Sequence, residues 1–275
     1  MNYSEHEKVS NNLHINNNGV RGVLQFLNIN YGLEITHLSD LPARTGLGSS
    51  SAFIVGLLKA LYTLRGDPDD AYELQPRVLT EDAIHIEREL LAEAGGVQDQ
   101  VWPNYPGLNN IELSTDGVIR VKPVPVTQEF KQEFNSSLVM FYMGRQRNSF
   151  KIAESHEHKA DTLQYKHQIR DIALEAQEAF IKEDIPEIGR LLNVSWSQKK
   201  SISPLVSTAE IDRIHAQGLK LGAYGGKLLG AGGSGFLLFV VPIELRAALI
   251  DEIGLDHVDF RFDAAGSQVI MRNGN

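Results

Sequence analysis

Hydrophobic spacing divides the chain into recognisable elements. Gly19 to Leu27 carries apolar residues at helical intervals, and Gly32 to Leu38 alternates apolar with polar as a half-buried strand does. After a turn at Ser39, Asp40 and Pro42, the apolar run Phe53 to Leu64 predicts a helix over Ser51–Leu64. Asp67, Pro68 and Asp69 then break the chain. A second helix is expected from about Thr80 to Ala94, with Thr80 and Asp82 as N-caps and Gly95–Gly96 as its end. Asn109 to Val126 reads as a hairpin turning at Asp116–Gly117, and Ser137 to Tyr142 as a buried strand.

The second half is mostly helical. Ile152 to about Leu192 predicts two helices meeting near Asp184–Ile185–Pro186, and Ile211 to Leu221 predicts another. A strand at Gly235 to Val241, a helix at Pro242 to Ile253 and a last strand near Val258–Phe262 complete the pattern. A composition shift after the hairpin predicts two domains, 1–135 and 136–275.

Composition narrows the function. A net charge of −9 with no compensating basic stretch argues against a general nucleic-acid binder. The chain has no cysteine, which removes disulfides, thiol catalysis and thiolate metal sites. No apolar stretch is long enough to span a bilayer, and Met1 to Asn18 lacks the apolar core of a signal peptide. A cytoplasmic small-molecule enzyme without a membrane or nucleic-acid partner is expected, with a homodimer among the assemblies open to it.

Three motifs carry chemistry. Residues 42–52, P-A-R-T-G-L-G-S-S-S-A, form a glycine-punctuated turn that opens directly into a helix. Gly46 and Gly48, on either side of Leu47, let the backbone approach an anion closely. Ser49, Ser50 and Ser51 add hydroxyls and free N–H groups at a helix N-terminus. One cap would suffice structurally, so three serines favour a phosphate. The segment is neither a P-loop nor a dinucleotide fingerprint.

The second motif runs I-E-R-E-L-L-A-E-A-G-G-V-Q-D-Q from Ile86 to Gln100. Glu89 and Glu93 read as a solvated helix face. Asp99 follows a glycine pair and precedes Trp102, so its carboxylate could accept a proton from a substrate hydroxyl or orient it. Glu87 could join a serine and phosphate oxygens around Mg²⁺. The third motif, G-G-K-L-L-G-A-G-G-S-G-F from Gly225 to Phe236, holds more glycine than one turn requires. Close passage of backbone past a ligand or another loop explains it better. The histidines lack zinc spacing: His156 and His158 are two apart, while His85 and His215 read as surface or core. Trp102 and Trp196 read as core or pocket wall.

In this order the motifs resemble those of the GHMP kinase superfamily, small-molecule kinases named for galactose, homoserine, mevalonate and phosphomevalonate. S-D-L-P-A-R-T-G-L-G-S-S-S-A-F, I-E-R-E with G-G-V-Q-D-Q, and G-A-Y-G-G-K-L-L-G-A-G-G look most like the D-glycero-D-manno-heptose 7-phosphate kinase branch. The likeness runs from about Tyr3 to Phe262, and fucokinase-type domains share much of it. It implies an α+β, two-lobed fold: an N-terminal lobe like the second domain of ribosomal protein S5, then a ferredoxin-like lobe.

The resemblance also implies roles. Gly46 to Ser51 would wrap the phosphates of ATP, Ser50 and Glu87 would ligate Mg²⁺, and Asp99 would contact the acceptor hydroxyl. Gly230 to Gly235, with Gly232 and Gly233 among them, would pack beside the phosphate loop and shape the acceptor pocket. Arg147 or Lys227 would contact a phosphate on the sugar, which needs a cationic partner.

Three departures stand out. The family's N-terminal strand-and-turn motif does not precede Tyr3, so an N-terminally shortened fold is expected. Asn104–Tyr105–Pro106–Gly107 replaces a Gly-Gly turn, and Met143–Gly144–Arg145–Gln146–Arg147 keeps Gly144 and Arg147 of a T-G-x-x-R pattern but not its threonine. The activity implied is ATP-dependent phosphorylation of a sugar, at C1 of a heptose 7-phosphate. The alternatives are a fucokinase-like sugar 1-kinase and a truncated, inactive homologue that retains nucleotide binding.

Overall fold

The computed structural model describes residues 6–41, 45–66, 70–93, 95–144 and 162–271. The expected break at Asp67–Asp69, the residues Arg145 to Arg147, and His156 and His158 lie outside them. The chain forms two compact units. One comprises Met1–Ala43, Gly48–Pro106 and Ala265–Asn275; the other comprises Arg44–Leu47 and Gly107–Ala264. No helix among the described residues is long and apolar enough to cross a membrane.

In the first unit, helices Asn18–Phe26, Ser49–Arg65 and Pro76–His85 bury Val23, Ile54, Leu58, Leu61 and Leu79 in one cluster, which Ile86 joins just beyond the third helix. Asn17 caps the first helix by accepting from the Val20 N–H at 3.1 Å. The expected strand Gly32–Leu38 is not formed. Leu33 and Ile35 do pack against the cluster while Leu38 is 88% exposed, so the alternation is genuine. It lacks a ladder partner, because no strand occurs among the described residues of this unit.

The second helix also begins earlier than its pattern suggested. Pro76 occupies the first turn, where its missing N–H costs nothing, and Gln75 is the N-cap. Thr80 and Asp82 are therefore interior residues rather than caps. Thr80 Oγ1 donates to the Pro76 carbonyl at 2.7 Å, and Asp82 accepts from the Tyr62 hydroxyl at 2.6 Å. The helix continues as a π-turn over Ile86–Leu90 and stops there, ahead of Gly95–Gly96.

In the second unit, β1 (Asn109–Leu113) and β2 (Ile119–Pro123) form the expected hairpin, with Ile111 opposite Val121. A four-stranded antiparallel sheet follows. Its strands are β3 (Leu138–Tyr142), β4 (Gly225–Leu228), β5 (Phe236–Val240) and β6 (His257–Val258), in the order β4-β5-β3-β6. Alternate residues feed two cores. Val139, Phe141, Leu237 and Phe239 pack with Trp196, Ile211 and Ile214, whereas Leu138 and Val240 pack with Phe130, Phe134, Ile188 and Leu191. Both faces are thus covered, and the runs L-V-M-F-Y and F-L-L-F-V are continuously apolar rather than alternating. Each fully buried Phe contributes roughly 2–3 kcal/mol.

Helices Thr162–Ile181, Ala209–Lys220 and Arg246–Ile253 fall where the second-half pattern places helices. Helix Ile185–Ile202 runs on past the expected end at Leu192, and β6 stops at Val258 rather than Phe262. Helix Gln128–Ser136 was not legible: its nine residues offer only Phe130 and Phe134 as an apolar stripe. These two phenylalanines join the core of the second unit. Pro106–Gly107 is one of the points where the chain passes between the two compact units.

Candidate active site

Gly48 caps helix Ser49–Arg65 in the left-handed conformation, φ +66°, with no side-chain cap hydrogen bond. Glycine adopts that conformation without strain, and the first-turn N–H groups keep their capacity for an outside acceptor. Asp99, in the short helix Gln98–Val101, lies directly behind: a Cβ on Gly48 would stand 3.1 Å from its Cγ. Small size and positive φ are both required at this one position.

The three serines separate by exposure. Ser49 is half-buried, Ser50 is exposed, and Ser51 is buried. Ser51 Oγ donates to Glu87 Oε2 at 3.0 Å, and the Gln100 amide donates to the same oxygen. The π-turn carries Glu87 inward until it is 3% exposed. Its other oxygen, Oε1, is buried without a partner, as is Gln100 Oε1. Burial pushes the Glu87 carboxyl up to about 7, opposed by the Ser51 hydrogen bond and reinforced by the charge of Glu93. Burial also raises Asp99, against a hydrogen bond from Gln98 and the charge of Arg88.

A cation fits this donor set. Glu87 presents a buried carboxylate oxygen without a partner, with the Ser51 hydroxyl on its other oxygen, and a cation at the free one would offset the charge that burial leaves uncompensated. No cluster of three His, Cys, Asp or Glu occurs among the described residues, so phosphate or water oxygens would complete the shell. Arg88 donates to the carbonyls of Glu93 and Gly96 and so braces the loop leading to Asp99.

In the second unit, the loop residues Thr45 and Gly46 meet the third motif. A Cβ on Gly46 would lie 2.9 Å from Gly230 Cα, and one on Gly235 would strike the Thr45 carbonyl. The glycines of this motif thus serve backbone-to-backbone contact within the unit. Gly233 N–H donates to the Val206 carbonyl at 2.7 Å, and Gly232 lies against the same residue. Leu47 is half-buried. Lys227 Nζ donates to Ser195 Oγ at 2.8 Å, and Lys199 Nζ donates to the Gly230 carbonyl. Arg147 lies outside the described residues.

Sequence reasoning had not singled out Gln100, Arg88 or Lys199. The first two stood inside quoted motifs, but only the fold shows what they hold. Nothing in the spacing around Lys199 marks it. Elsewhere Trp196 is fully buried, Trp102 is 41% exposed, and His215 is a core residue with Nε2 3.1 Å from the Gly226 carbonyl.

The family model described as GHMP kinases N terminal domain matches residues 18–104, and that described as GHMP kinases C terminal matches 176–251. The chain is also 32% identical over 234 residues to D-glycero-alpha-D-manno-heptose 7-phosphate kinase of Campylobacter jejuni, covering 83% of this chain and 68% of that one. The chain belongs to the GHMP kinase family. This kinase is further 28% identical to L-fucokinase/L-fucose-1-P guanylyltransferase of Bacteroides fragilis, over 81% of its own length and 23% of the relative's. Among solved structures it resembles a D-glycero-D-manno-heptose 1-phosphate kinase of Bacteroides thetaiotaomicron, with TM-score 0.69, 25% identity, and coverage of 91% and 73% of the two chains. The fold is the two-domain α+β fold of GHMP kinases, and the kinase is a phosphotransferase with an alcohol group as acceptor.

Proposed function

We propose that this kinase is ATP-dependent and phosphorylates the C1 hydroxyl of a heptose 7-phosphate in the cytoplasm. The observation that carries the reading is the buried Glu87, unpartnered at Oε1 and tied through Ser51 to an uncapped helix N-terminus, with Asp99 packed on Gly48. The name of the Campylobacter jejuni relative favours the 7-phosphate acceptor. ATP would supply the γ-phosphoryl group, and a bound Mg²⁺ would offset charge on its oxygens.

The chain's own residues then bind and orient. Backbone N–H groups from Gly46 to Ser51 would hold the phosphates, and Glu87 and Ser50 would hold the metal. Asp99 accepts the proton of the acceptor hydroxyl as its oxygen bonds to the γ-phosphorus and the bond to the β,γ-bridging oxygen breaks. Desolvation makes Asp99 a stronger base than an exposed aspartate. Arg147 or Lys227 contacts the sugar's phosphate, while Gly230, Gly232 and Gly233 shape the acceptor pocket. An ATP-consumption assay against a sugar panel tests the reading. Turnover of heptose 7-phosphate above L-fucose upholds it, and the reverse preference selects the fucokinase-like alternative. No turnover with any sugar, alongside retained ATP binding, selects an inactive homologue.

A further inference from the structure

Two lysines of the second unit approach each other where no carboxylate meets them. Lys199, on helix Ile185–Ile202, donates to the Gly230 carbonyl, and Lys227, on β4, donates to Ser195 Oγ at 2.8 Å. Both ammonium groups end on neutral oxygens. The other cations of that helix behave differently: Lys200 pairs with Asp212 at 2.9 Å, and Arg190 with Glu187 at 2.6 Å. Acidic residues are not scarce, since the chain has 35 Asp and Glu against 26 Lys and Arg. Yet among the described residues neither Lys199 nor Lys227 has an ion-pair partner.

Their position gives the pair a purpose. The carbonyl that Lys199 holds belongs to Gly230, which packs on Gly46 of the phosphate-loop motif. Ser195 accepts from Lys227 and keeps its own proton to donate. Burial and the neighbouring charge of Lys227 push Lys199 down to about 8, a cost that a bound dianion would offset. We propose that Lys199, Lys227 and Ser195 form a phosphoryl-binding subsite within the second unit, with Lys199 as its second cation. The ligand is a phosphate dianion held by two charge-assisted hydrogen bonds and one hydroxyl. Identifying that phosphate as the acceptor's own, or as the nucleotide's terminal one, rests on the kinase reading above; the subsite itself does not.

The test is calorimetric titration of the full chain with inorganic phosphate, then with ATP, heptose 7-phosphate and unphosphorylated heptose. Wild type is compared with Lys199→Met, Lys227→Met and Lys199→Arg, each checked by thermal melting. Either methionine variant should weaken inorganic phosphate about tenfold or more, and Lys199→Arg should restore most of it. Unphosphorylated heptose should bind all variants alike. Weakened heptose 7-phosphate with unchanged ATP assigns the subsite to the acceptor; the opposite pattern assigns it to the nucleotide. Phosphate binding absent from wild type, or unchanged in both methionine variants, overturns the subsite even if sugar turnover is robust. Lysine-dependent phosphate binding without any sugar turnover would instead defeat the proposed heptose 7-phosphate activity and leave the subsite standing.

Discussion

The Ser51 hydroxyl donates to Glu87 Oε2 at 3.0 Å and ties the first turn of helix Ser49–Arg65 to the π-turn Ile86–Leu90. One serine of the glycine-serine motif thus has a structural task, while Ser50 beside it is exposed. Ser51→Ala should destabilise the fold by about 1–3 kcal/mol, because it strips a donor from a buried carboxylate. Ser50→Ala should change stability by less than about 0.5 kcal/mol, yet weaken Mg²⁺-dependent activity. Urea unfolding and Mg²⁺ titration of turnover measure both. Equal stability losses would erase the distinction between the two serines.

The Glu87 carboxyl gives metal-free stability a definite sign. Its pKa rises from 4.5 to about 7 on folding, so the folded state favours the protonated form. Its contribution is full below pH 4.5, is lost as pH rises to about 7, and is constant above. The change is about 3 kcal/mol. Denaturation in chelator between pH 5 and 8 should show that fall, and Glu87→Gln should flatten it. An unchanged slope in the variant would remove Glu87 as its source.

Glycine content predicts opposite outcomes at two positions. Gly230 has φ +69° and abuts Gly46, so Gly230→Ala should lose about 2 kcal/mol or more and open the loop contact. Gly56 lies inside helix Ser49–Arg65 with nothing within 4 Å of an added Cβ. Gly56→Ala should gain about 0.5–1 kcal/mol. Melting temperatures that fall for both variants would contradict this account of the two glycines.

Legibility followed the number of constraints on each segment. β3 and β5 were readable because both faces are buried, which forces unbroken apolar runs. Gly32–Leu38 misled because alternation records which side chains are covered, not whether a neighbouring strand exists. Gly48, Glu87 and Asp99 stood out within their motifs, and the structure brings Asp99 to Gly48 and Glu87 to Ser51. Lys199 was not legible, because a lysine near a helix end is ordinary; only its missing carboxylate distinguishes it.

Asp99 carries the central claim, and its variant gives the most direct measurement. ATP consumption with heptose 7-phosphate should fall by about 100-fold or more in kcat for Asp99→Asn, with KM for ATP nearly unchanged. Turnover that survives the substitution at the wild-type rate would contradict the account.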